Sequence, residues 1–288
     1  MDEGRVGKTS GVPWTGMSYY SNRNVFNETM ERLTRRDLLA MAAPLAAGTA
    51  LGFGTPAASV AGEGDLALKK RKILVVGAHP DDPETGCGGL MALAAAAGHE
   101  VVSVYLTRGE AGCRGKSHEE SAAIRMAEAR EACALLGARP VFLSQVDGSS
   151  EVNRERYQEV NHLIKAENPD LLVTHWPIDS HRDHRVCSIL VYDAWQSLDP
   201  KPALAYFEVM SGHQSQNFNP THYVDISRVL ELKHKACFAH RSQNIEGTYD
   251  NDHGKMEVFR GMESGFRFAE GYVKHILSRG LNLEDLNL

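Results

Sequence analysis

The sequence predicts an α/β fold, a mostly parallel sheet with helices on both faces. Three observations predict it. Short apolar runs without polar alternation recur from residue 72 onward, as strands buried on both faces do. Segments with helical spacing of apolar residues alternate with them, and strand–helix–strand repetition implies right-handed crossovers. The 288 residues, 42% apolar and 24% charged, suit one large soluble domain.

The first strand is 72–78, KILVVGA. It runs into GAHPDDPETGCGG, residues 77–89, which places His79, Asp81, Asp82 and Glu84 within six positions. A helix over 87–97 stops at Gly98, and EVVSVYLT at 100–107 is the second strand. Ser117 and Glu120 form a capping box for the next helix. Its apolar stripe is Ala122, Met126, Ala129, Cys133 and Leu136, and Gly137 ends it. PVFLSQ at 140–145 is the third strand. A helix over about 152–166 turns Tyr157, Val160, Leu163 and Ile164 inward. DLLVTHW at 170–176 is the fourth strand. The helix from His184 has Val186, Ile189, Leu190 and Trp195 among its apolar positions. Beyond it, 203–210 and 222–226 read as strands and 227–243 as helical. The aromatic tail at 265–277 is expected to pack on the rim that carries the acidic turn.

Residues 1–61 stand apart. Arg35 and Arg36 precede an Ala-rich apolar stretch from Leu38 to Phe53, and Ser59-Val60-Ala61 fits a signal-peptidase site. The pattern resembles a twin-arginine export signal. It predicts transient contact with the export machinery and a periplasmic or extracellular location. Pro44, Gly48, Gly52 and Gly54 interrupt the stretch and argue against a membrane anchor. Residues 62–288 form the single folded domain of this reading. All thirteen histidines lie there, so any imidazole chemistry belongs to that domain. The net charge of −6 gives no basic footprint for nucleic acid. The five cysteines, Cys87, Cys113, Cys133, Cys187 and Cys237, show no C-x-x-C pair and read mostly as small buried apolar side chains.

In a parallel α/β sheet, ligands bind beyond the carboxyl ends of the strands. Two His/Asp clusters fall on that rim: the turn after the first strand, and PIDSHRDH at 177–184 after the fourth. Desolvated carboxylates cost free energy unless paired or bound to a cation. A catalytic zinc site takes three protein ligands and keeps one position open. His79 and Asp82 are spaced to reach one ion from a tight turn, and His184 completes the set. Asp81 is then placed to take a proton from a water that the ion acidifies. His181 can stabilise an oxyanion or protonate a leaving group. Asp183 is expected to hold the His181 ring in one tautomer, with a surface salt bridge or helix cap as the competing reading. Arg125 binds an anionic or oxygen-rich group, or snorkels. Arg108 and Glu110, in LTRGEAG after the second strand, contact ligand or each other. His175 reads as packing, and His99 lies at the opposite edge.

AHPDDPE, LTRGEAG and HRDH, each after its strand, together resemble the PIG-L (LmbE-like) deacetylase family over about 70–275. The resemblance implies a Rossmann-like α/β fold and a divalent metal, usually Zn2+, with Fe2+ the alternative. It implies removal of N-acetyl groups from N-acetylglucosamine-containing molecules. Carried over, the ligands are His79, Asp82 and His184, and the base is Asp81. His181 is the oxyanion or acidic histidine, supported by Asp183, and Arg125 is the pocket arginine. The family usually places Glu directly after the second Asp, whereas here Pro83 intervenes and Glu84 is displaced by one. FAEGY resembles a C-terminal family motif, so Glu270 and Tyr272 are expected to help close the pocket.

The sequence therefore predicts a metal-dependent amidohydrolase acting on an N-acetylated amino sugar and releasing acetate. The alternatives are a metal-containing sugar-binding protein without turnover and a hydrolase of another small N-acyl amide. The partners expected are a small-molecule or glycan substrate and, where the chain self-associates, a second copy of itself.

Overall fold

The computed structural model describes residues 69–278, 283–286 and 288. The predicted export signal, within 1–61, lies outside the described residues. The sheet has seven strands in the order β3-β2-β1-β4-β5-β7-β6. These are β1 (Lys72–Gly77), β2 (Glu100–Thr107), β3 (Arg139–Gln145), β4 (Leu171–His175), β5 (Ala203–Phe207), β6 (His222–Asp225) and β7 (Ala269–Lys274). The first five are parallel; β7 runs antiparallel to β5, and β6 antiparallel to β7. The helices are α1 (Asp82–Ala96), α2 (His118–Leu136), α3 (Arg154–Glu167), α4 (Arg182–Gln196), α5 (Leu230–Phe238), the single turn α6 (Ile245–Thr248) and α7 (His253–Ser264).

The pleat of β1 divides the core. Ile73 and Val75 face one side, with Leu90 and Met91 of α1. Leu74 and Val76 face the other, with Val160 and Ile164 of α3 and Leu190 and Trp195 of α4. Both faces of β1 are thus buried, which explains its unbroken apolar run. Ile189 points outward, 44% exposed, half a turn from the α4 core positions. The capping box at Ser117 and the left-handed Gly137 bound α2 as expected. All five cysteines are buried and free.

Two elements differ from expectation. α1 begins at Asp82, five residues earlier than predicted, because Asp82 and Glu84 in its first turn complement the positive end of the helix. The tail does not line the rim: residues 269–274 form β7, inside the sheet. Glu270 and Tyr272 consequently lie in the interior instead of closing a pocket. Glu270 accepts hydrogen bonds from the Gly89 and Leu90 N–H groups and from Tyr272 Oη. Glycine is needed at position 89, where a Cβ would overlap Ile226 and sit 3.0 Å from the Glu270 carboxylate.

Candidate active site

β1 has β2 on one side and β4 on the other, so the strand order reverses at β1. At such a switch point the loops after adjacent strands diverge and leave a crevice. The turn after β1 and the segment after β4 flank it, which brings residues about a hundred positions apart side by side. The β1 turn is tight. Gly77 lets Pro83 pack against it, since a Cβ there would lie 2.7 Å from Pro83 Cδ. Asp81 caps α1 with φ 123°, a region that non-glycine residues occupy only when their surroundings hold them there. After β4, His181 caps α4 and places Asp183 and His184 in its first turn.

His79, Asp82 and His184 meet. His79 Nδ1 lies 3.2 Å from Asp82 Oδ2 and 3.3 Å from His184 Nε2, and His184 Nε2 lies 3.3 Å from Asp82 Oδ1. The other nitrogen of each ring fixes its tautomer. His79 Nε2 faces Asp147 Oδ1 at 3.1 Å and Asp183 Oδ2 at 3.2 Å, and His184 Nδ1 faces Asp179 Oδ1 at 3.2 Å. With the outer nitrogens protonated toward these carboxylates, an ion bound at the centre would meet lone pairs on His79 Nδ1 and His184 Nε2 beside the Asp82 carboxylate. Two lone pairs and a carboxylate converging at this spacing fit a divalent cation held by roughly 2.0–2.2 Å bonds. His175 Nε2 is 3.2 Å from Asp82 but accepts the Ala78 N–H at 3.0 Å, so its lone pair is engaged. His175 stacks under His184 at 4.1 Å between ring centroids, in keeping with a packing role.

The charges around the rings match this. Burial opposes a charge on His79, yet Asp147, Asp183 and Asp82 outweigh it and hold the His79 pKa well above its usual value. Burial likewise opposes charge on His184, but Asp82 and Asp179 lift it to about 9. Burial would raise Asp82, and His184 with His175 drives it well below the ordinary carboxylate range. This is a pocket that demands positive charge.

Asp81 stands beside the ligand set without joining it. Its Oδ2 accepts from Arg125 Nη2 at 2.7 Å, and the same guanidinium donates to the Pro80 carbonyl. Arg125 is therefore buried against the Asp81 carboxylate, not snorkelling. Burial raises the Asp81 pKa, with Arg125 opposing. His181 Nδ1 accepts the Asp183 N–H at 3.2 Å, which leaves the proton on Nε2. Burial, then His79 and His184, lower the His181 pKa and keep the ring neutral. Asp81, Arg125, His181 and the ligand set share one cavity of about 640 Å³, which Gln243 and His253 also line.

The sequence profile described as PIG-L, GlcNAc-PI de-N-acetylase, matches residues 74–195, which span β1 to α4 and hence both clusters. An uncharacterized deacetylase, YaiS of Escherichia coli, is 31% identical over 137 residues, 44% of this chain and 68% of its own. The chain belongs to the PIG-L family. Diacetylchitobiose deacetylase of Thermococcus kodakarensis is 29% identical over 219 residues, 70% of this chain and 82% of its own. The solved structure of N,N'-diacetylchitobiose deacetylase from Pyrococcus horikoshii, bound to its inhibitor, superposes with a TM-score of 0.64. It is 27% identical and covers 72% of this chain and 84% of that one.

Within the PIG-L site, one sequence expectation changes and one open alternative is resolved. The Asp183 carboxylate holds His79 and the Gly148 N–H, at 2.7 Å, and it is the Asp183 backbone that holds His181. Arg108 and Glu110 bond each other at 2.7 Å, and neither lines the cavity. Glu110 instead accepts the Asp147 N–H at 3.2 Å. Asp147 and Asp179 went unremarked in the sequence although each had a signal. Asp147 follows β3 on the same rim, and Asp179 lies inside PIDSHRDH.

Proposed function

We propose that this PIG-L protein is a zinc-dependent hydrolase that removes the acetyl group from an N-acetylglucosamine-type sugar or glycoconjugate. Hydrolytic deacetylation with a divalent metal follows from family membership. The observation that supports the finer reading is the convergence of His79 Nδ1, His184 Nε2 and Asp82 within 3.2–3.3 Å, with Asp81 beside them. A borderline-soft cation suits two imidazoles and one carboxylate. The relatives named for diacetylchitobiose support an acetamido sugar as substrate.

A divalent cation supplies Lewis acidity, acidifying a neighbouring water toward a pKa of about 7 and polarising an amide carbonyl. In this reading Asp81 takes the proton from the attacking water onto its carboxylate. Arg125 holds one carboxylate oxygen, so the base is oriented before substrate arrives. The Nε2–H of His181 donates to the acetamide oxygen as negative charge gathers there. The proton on Asp81 then passes to the departing nitrogen, the C–N bond breaks, and acetate and the free amine leave.

The test is acetate release by the zinc-loaded protein on N-acetylglucosamine and diacetylchitobiose. Turnover is expected, and absence of acetate from both would leave the sugar-binding reading standing. Asp81→Asn should lower kcat by roughly 10²–10⁴ with zinc content unchanged; retained turnover refutes the base. We further propose export through the twin-arginine signal at Arg35-Arg36, which would bring the enzyme to envelope or environmental glycans. Fractionation of cells expressing Arg35→Lys/Arg36→Lys protein tests it.

A further inference from the structure

Beneath the Asp81 turn lies a polar pair that the proposed mechanism does not use. His240 is fully buried, and among the described residues neither of its ring nitrogens has a hydrogen-bond partner. Its Nε2 is 3.4 Å from Glu84 Oε2, an oxygen also buried without a hydrogen bond. The other Glu84 oxygen accepts from Tyr105 Oη. A buried ionic pair this poorly satisfied is weak as a stabilising device, because apolar residues of similar volume fill such a space at lower cost.

Its position suggests another role. Glu84 is the third residue of α1, where a carboxylate can fold back onto the helix start. Here it points down, fastening the first turn of α1 to β2 through Tyr105 and to His240. Asp81 stands just ahead at φ 123° and needs its surroundings to keep it there. His240 is itself anchored by the turn that follows. Ser242 bonds Glu128 at 2.8 and 2.7 Å, Arg241 bonds Glu131 at 2.6 and 2.8 Å, and Gln243 donates to the Gly112 carbonyl at 3.1 Å. Glu128 lies one turn along α2 from Arg125, whose guanidinium grips the Asp81 carboxylate. Two supports for the base thus rise from one helix.

We propose that His240 is a positioning residue: by pinning Glu84 it fixes the first turn of α1 and holds the Asp81 carboxylate in the attitude that proton abstraction needs. The inference rests on Asp81 being the base.

The test compares His240→Phe with His240→Gln in the full zinc-loaded chain, using N-acetylglucosamine and its disaccharide as probes. The phenylalanine fills the space but cannot pair with Glu84, whereas the glutamine amide offers Glu84 a polar partner. His240→Phe should lose roughly tenfold to a hundredfold in kcat, with KM and zinc content unchanged. His240→Gln should recover most of that loss. Unchanged kcat in His240→Phe, or equal damage in both variants, overturns the proposal. Should His240→Phe not fold, Glu84→Gln tests the same link and should show the same kcat loss at constant KM; wild-type kcat there is the contrary result. A crystal structure of a folded variant separates this inference from the functional reading. Asp81 should leave its 2.7 Å contact with Arg125 in the impaired variants, and an undisturbed turn counts against the link whatever the wild type hydrolyses.

Discussion

His79 has two ring nitrogens and three carboxylates within 3.1–3.2 Å of them. Asp147 and Asp183 take the Nε2 side, which under the proposed ligand assignment would reserve Nδ1 for the ion, a division of labour set by the outer carboxylates. In Asp183→Asn the amide would offer either its oxygen or its NH2 to the shared contacts at His79 Nε2 and the Gly148 N–H. With the oxygen there both bonds persist without the negative charge, with the NH2 there both are lost, and in either case Asp147 still favours the productive tautomer. Zinc affinity should fall by about tenfold, within the roughly 10–100-fold range for such partners, as read by competition with a chromogenic chelator. Removing a ligand outright is a different event. His184→Ala should purify without zinc by elemental analysis, and full occupancy there would remove His184 from the ligand set.

At the scale of elements, α1 offers the site at its first turn and packs midway along its length on a buried charge cluster. Lys233 of α5 is fully buried, 3.0 Å from Glu257 of α7 and 2.9 Å from Glu270 of β7. Burial would raise the Glu257 pKa above its ordinary 4.5, but Lys233 outweighs it and pulls Glu257 down to about 2. A carboxylate lowered on folding stabilises the fold above its unfolded pKa and loses that contribution as pH falls through the folded value. Lys233→Met removes the buried cation from two buried carboxylates, leaving Glu270 with neutral donors alone and Glu257 with His234 and Tyr249, and should cost about 3–5 kcal/mol near neutral pH. In urea titrations, the gap between wild type and variant should shrink from pH 4.5 toward 2; a constant gap would show that Lys233 contributes packing alone. None of this cluster was legible in the sequence. Lys233, Glu257 and Glu270 lie in three separate elements, and nothing local marks a lysine as buried. The start of α1 was also missed, because an acidic run looks like a loop until the helix dipole is counted. By contrast, Ser117, Glu120 and Gly137 bound α2 by local chemistry alone, and there the reading held.

For the whole molecule, the parallel order of β1 to β5 and the joining of two distant clusters were legible. They follow from apolar runs, crossover handedness and the rule that ligands sit at a switch point. At the antiparallel end β6 was legible, as the strand read at 222–226, whereas β7 hides in a segment that reads as an aromatic tail. The division has a thermodynamic consequence. The core lies on the two faces of the sheet, in clusters built from α1 and α5 on one side and α3 and α4 on the other. The donor set sits beyond the strand ends, on the β1 turn and the first turns of α1 and α4, and belongs to neither cluster. The fold should therefore survive without metal, unlike small zinc domains whose folding is the binding event. Zinc at a hundred times its Kd stabilises by about 2.7 kcal/mol, which for a domain of this size corresponds to roughly 5–11 °C in Tm. Chelator-dialysed protein should keep its far-UV circular dichroism and melt cooperatively, lower by about that margin, and zinc should restore the difference. Loss of the helical signal on chelation would mean that the ion, and not the sheet, holds the two clusters together.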